Sequence, residues 1–103
     1  MNVPEDRRTL LTDGAHAVGA RWAQSWFEDM RLEGRTISGG WPGTISEARA
    51  RVTAHFDVEL ARLRMPLLTT DEFVWVTHAA YRKAKREWLC AHAVRPRAPR
   101  LEP

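Results

Sequence analysis

The segment Gly34-Arg35-Thr36-Ile37-Ser38-Gly39-Gly40-Trp41-Pro42-Gly43 runs straight into Thr44-Ile45-Ser46-Glu47, and the reading of this junction decides the fold. Three glycines and a proline within five residues stop any helix arriving from the N-terminal side. Thr44 and Glu47 have capping-box spacing, so a new helix opens immediately afterwards, with Thr44 or Ser46 as its cap. The loop is then the corner between two helices that turn back on one another, with Trp41 placed to plug the open end. A glycine-rich loop ahead of a helix can instead hold an anion, which would suit a small enzyme with an anionic ligand. Two details favour the corner: Pro42 lacks an N–H, and a capping carboxylate at Glu47 occupies amides that an anion would need. No Gly-x-x-x-x-Gly-Lys pattern exists, which removes the phosphate-loop reading.

Upstream of the junction, Ala15, Val18, Trp22, Trp26 and Met30 recur at spacings of three and four, with Ala23 and Phe27 widening the stripe. Arg21, Gln24, Glu28 and Arg31 form the opposite face. A helix over about 15–33 is expected, ending at Gly34. Thr12-Asp13-Gly14 separates it from a short helical lead-in that opens at Pro4-Glu5-Asp6. Downstream, Ile45, Ala48, Val52, Phe56, Leu60 and Leu63 mark a second helix over about 44–64, closed by Pro66. Residues 65–69 form a tight connection that carries Leu67 and Leu68 over the end of the core. The third helix, about 70–93, opens on a Thr69/Glu72 capping box and buries Phe73, Val76, Thr77, Ala80, Ala84, Trp88 and Ala91, with Tyr81 alongside.

Three amphipathic helices on short connections predict an all-α, antiparallel three-helix bundle occupying 1–94 as a single domain. The alternative is a helical hairpin whose third helix completes its core only in a dimer. Small residues on the third helix facing Trp22, Trp26 and Phe56 let the helices approach closely. Residues 95–103, with Pro96, Pro99 and Pro103, read as a mobile basic tail.

The chain has 103 residues, 44% of them hydrophobic, which leaves room for one modest core. Its net charge of +3 is unevenly placed: residues 82–103 carry +5 and residues 1–81 carry −2. No apolar run approaches the roughly 20 residues that span a bilayer, and Met1–Asp6 lacks the basic and apolar regions of an export signal. With a single cysteine, Cys90, the expected location is the cytoplasm.

Catalytic and metal chemistry find little support. His16, His55, His78 and His92 stand on separate turns, and neither Cys-x-x-Cys nor His-x-x-x-His occurs, so no metal, cofactor or small-molecule ligand is expected. Acids lie one turn from bases, as in Glu59 with Arg62, which is how a solvated helix face looks. His55 and Glu59, at i and i+4, read as a rim pair.

Outside its core stripe the third helix carries Trp75, His78, Arg82, Lys85, Arg86 and Leu89. Trp and Arg are the usual anchors of protein interfaces, so a non-enzymatic interaction module contacting a protein partner or a second copy is the leading expectation. A nucleic-acid-binding regulator using the same face with Arg95, Arg97 and Arg100 is the alternative, arginines meeting phosphates and aromatics stacking bases. The third reading is that residues 1–12 fold back and cover this face.

Overall fold

The computed structural model describes residues 3–32 and 41–94. They form three helices: α1 (Val3–Leu32), α2 (Ile45–Arg62) and α3 (Thr70–Val94). No strand occurs among the described residues, and the all-α three-helix bundle stands. The predicted end of the first helix at Gly34 and the tail from Arg95 onward, with Arg97 and Arg100, lie outside the described residues.

The helices run up, down and up. Gly14 of α1 lies level with Phe56 of α2, and Trp22 with Ala48 and Arg51, so α1 and α2 are antiparallel. Arg7 meets Glu72, Gly19 meets Ala80, and Phe27 stacks on Trp88, so α1 and α3 run parallel along their length. This α1–α3 contact is the most extensive in the bundle.

One expectation is corrected. The N-terminal lead-in is helical, but Thr12-Asp13-Gly14 does not divide it from the longer helix: α1 is a single helix of 30 residues. Glycine costs a helix interior about 1 kcal/mol, and here packing outweighs that cost. A Cβ on Gly14 would stand 2.7 Å from the ring tip of buried Phe56. A Cβ on Gly19 would stand 2.6 Å from the carbonyl oxygen of Ala80 and 2.8 Å from the Cβ of Lys83. The five-residue separation turns the two glycines about 140° apart on the helix, so one admits α2 and the other admits α3. Leu11, fully buried, extends the core stripe of α1 toward its N-terminus.

The helix ends form as their local sequences demand. Thr44 Oγ1 accepts from the Glu47 N–H at 3.1 Å, and the Glu47 carboxylate accepts from the Thr44 N–H at 3.0 Å. The same reciprocal pair joins Thr69 and Glu72, at 3.1 and 2.9 Å. Helix α2 closes with the Arg64 N–H on the Ala61 carbonyl and the Met65 N–H on the Leu60 carbonyl, a Schellman closure. It puts Arg64 at φ 58°, a left-handed conformation that glycine adopts more readily. Leu68 packs on the core as expected, whereas Leu67 and the cap residue Leu63 are exposed.

Two apolar clusters fill the bundle. Leu11, Ala15, Val18, Val52, Phe56, Leu60, Val76 and Ala80 occupy the end near the α2–α3 connection. Trp22, Ala23, Ala48 and Ala84 occupy the other, with Trp26, Phe27, Trp41 and Tyr81 packed around them. Ala84 shares one cluster with Trp22 and Ala80 shares the other with Phe56, while the Ala80 carbonyl also closes on Gly19. At about 27 Å, α2 is much shorter than α1 at about 45 Å, so the last turns of α1 and α3 outrun it. Trp41 caps this end, its ring centroid 5.1 Å from Trp22, 6.1 Å from Tyr81 and 6.0 Å from Trp88. It packs there and not on Leu63 or Leu67, which belong to the opposite end.

Candidate functional site

The face of α3 singled out from the sequence divides in two. Toward its N-terminus the face is covered in part, at Trp75. Trp75 is half-buried against the core cluster, and the guanidinium of Arg8 sits 5.8 Å from the centre of its ring. One turn earlier, Arg7 holds Glu72 through Nε and Nη2, both at 2.8 Å, and Nη2 also donates to the Leu67 carbonyl at 3.1 Å. Charge-assisted hydrogen bonding from Arg7 pulls the Glu72 carboxyl down to about 2, with a further contribution from the Thr69 amide. Arg8 therefore covers part of Trp75, the one point at which the described residues bear on the third reading of this face. The cover arises by extension of α1 alongside α3, with no chain reversal. Trp75 is therefore only partly exposed.

The C-terminal half is open. Arg82, Lys85, Arg86, Leu89 and Cys90 line a shallow groove of about 470 Å³. Leu89 is 43% exposed and the Cys90 thiol is free. Successive spacings of three, one, three and one place these residues on one helical stripe. Arg82, Lys85 and Arg86 have no carboxylate partner among the described residues, and Glu87 beside them pairs with Lys83 at 2.9 Å. His78 is exposed one turn before the groove and does not line it. The structure thus brings together four of the six predicted residues and leaves Trp75 and His78 apart.

At the glycine loop, both capping-box hydrogen bonds are made, so Glu47 occupies the helix start. Trp41 seals the aromatic end. The rest of the loop, including Arg35, Gly39 and Gly40, lies outside the described residues.

A second charged cluster is one that the sequence did not announce. His55 does not bond Glu59, which pairs with Arg62. Its Nδ1 lies 3.2 Å from Arg21 Nη2 across the α1–α2 groove, and since a guanidinium only donates, Nδ1 accepts and the imidazole is neutral. Burial and the Arg21 charge push the His55 pKa below its ordinary value, against a smaller opposing pull from Glu59. Arg21, Arg51 and His55 line a cleft of about 280 Å³ with Val18 and Ala54. The i, i+4 spacing of Arg51 and His55 puts them on one face in the sequence. No local signal places Arg21 opposite them.

Among the described residues, no group of three or more His, Cys, Asp or Glu side chains is arranged to hold a metal ion. No helix there is long and apolar enough to cross a membrane. Comparison of the chain with protein-family models, with curated proteins and with solved structures finds no match.

Proposed function

We propose that this chain is a small non-enzymatic helical interaction module of the cytoplasm that docks a protein, either a second copy or another chain, through the C-terminal half of α3. The observation that carries the reading is the groove in which Leu89 stands among Arg82, Lys85 and Arg86, three cations without carboxylate partners among the described residues. An apolar contact ringed by arginine is the composition of a protein interface. The free thiol of Cys90 suits a reducing compartment.

The nucleic-acid alternative needs exposed aromatic faces beside the cations. Every aromatic residue among those described is buried or half-buried, Trp75 included, which favours protein contact. Measuring the mass in solution is the first test. If the chain self-associates, Leu89→Asp with Arg86→Glu returns it to monomer with an unchanged helical circular dichroism spectrum; an oligomer that survives both changes removes this surface from the reading. Salt-sensitive mobility shifts of DNA or RNA, lost in Arg82→Glu with Arg86→Glu, transfer the same face to nucleic acid.

A further inference from the structure

The cleft between α1 and α2 lies across the bundle from the outer face of α3 and is independent of the docking reading. We propose that Arg21, Arg51 and His55 form a binding site for a phosphate-type oxyanion, free or as a monoester.

Arg21 of α1 and Arg51 and His55 of α2 line the cleft together, and the Arg51 and His55 side chains are each backed by an aromatic ring. The Arg51 guanidinium rests 5.5 Å from the centre of the Trp22 ring, over one of the largest fully buried side chains of the protein. The imidazole of His55 packs edge-on against Phe56, with ring centroids 4.8 Å apart, and its Nε2 lies 3.3 Å from where a Gly14 Cβ would stand. A side chain at residue 14 would crowd that ring. Arg21 is oriented by its hydrogen bond to His55 Nδ1.

These charges are not neutralised within the described chain. The carboxylates one turn away on α2 are both engaged: Glu47 with the Thr44 amide and Glu59 with Arg62. No carboxylate among the described residues lines the cleft. Burial is the first cause that lowers the affinity of His55 for a proton, and the charge of the neighbouring Arg21 guanidinium is the second. The number of donors selects among anions. A carboxylate is satisfied by one guanidinium fork, whereas a tetrahedral phosphate presents oxygens to a fork from each helix and to the imidazole as well. When phosphate takes the Arg21 donors, Nδ1 of His55 is released to bind a proton and to donate to the same anion.

The test is a titration of the full chain with inorganic phosphate, followed through the imidazole C–H resonances, with chloride at matched ionic strength as reference. The expected result is a saturable shift of the His55 signals alone, those of His16, His78 and His92 unchanged, with phenyl phosphate reproducing it if esters are accepted. Arg51→Lys keeps the charge but loses the fork, and weakens binding about tenfold. Arg21→Gln with Arg51→Gln abolishes it. A non-saturating response, a shift common to all histidines, or equal shifts in the double variant overturns the assignment. Acetate binding as tightly as phosphate refutes the choice of a tetrahedral anion.

Discussion

Replacing Gly19 by alanine tests the close packing of α1 on α3 most directly, because helix propensity and tertiary contact predict opposite signs. In an isolated helix the change stabilises by about 0.5–1 kcal/mol. In this bundle the new methyl would stand 2.6 Å from the Ala80 carbonyl oxygen and 2.8–2.9 Å from the Cβ and Cγ of Lys83. Comfortable carbon contacts need about 3.5 Å. A backbone carbonyl inside α3 cannot rotate away without breaking its own helical hydrogen bond, so the two longest helices must separate by several tenths of an ångström. Overpacking of this kind costs about 1–3 kcal/mol. After the propensity gain, the net loss is about 1–2 kcal/mol, which lowers the midpoint of a domain this size by about 5–12 °C. Thermal and guanidinium unfolding followed at 222 nm measure it. Gly14→Ala is the internal comparison: its obstacles are the tip of the Phe56 ring and the imidazole of His55, which can swing, so its loss is the smaller of the two. A midpoint for Gly19→Ala equal to or above the parent would refute the claim that close α1–α3 approach, and not local preference, explains a glycine there.

The same geometry sets four further outcomes. The Glu72 carboxyl titrates near 2 in the folded chain, below its ordinary 4.5, so its contribution is complete above pH 4.5 and is lost as the pH falls toward 2. Its loss amounts to about 1–2 kcal/mol, reduced from the full shift by solvent screening at the surface, and Arg7→Gln removes most of this contribution, leaving the Thr69 part, in denaturation curves at pH 3 and 6. Thr77 is 3% exposed and its hydroxyl has no hydrogen-bond partner, so Thr77→Val stabilises by about 1 kcal/mol in urea titrations. Arg64→Gly relieves a left-handed residue at the end of α2 and raises stability by about 0.5–1 kcal/mol, read as a rise in the thermal midpoint. Trp41→Ala opens the aromatic end, costs about 2–3 kcal/mol for a half-buried ring, and changes the tryptophan emission of the parent.

Much of the bundle is legible in residue order because the interactions that write it are short. Val52, Phe56 and Leu60 recur at helical spacing and are buried; Thr44 with Glu47 and Thr69 with Glu72 lie three residues apart and form both capping boxes. The candidate surface is legible for the same reason: Arg82, Lys85, Arg86 and Leu89 share a stripe wherever α3 is placed. What covers a stripe is another matter. In residue order Trp75 and Leu89 are equivalent, and only the continuation of α1 past Gly14, which lays Arg8 over Trp75, tells them apart.

From its sequence alone, this protein has three amphipathic helices, their starts at Thr44 and Thr69, a corner sealed by Trp41, and a basic last quarter. Each rests on contacts within about one helical turn. Tertiary structure alone decided that Gly14 and Gly19 sit inside a helix, that Arg7 finds Glu72 across 65 positions, and that His55 turns from Glu59 to Arg21. Those choices depend on which surfaces meet, and a local penalty of about 1 kcal/mol at a glycine is easily outweighed when removing a methyl lets two long helices close their core.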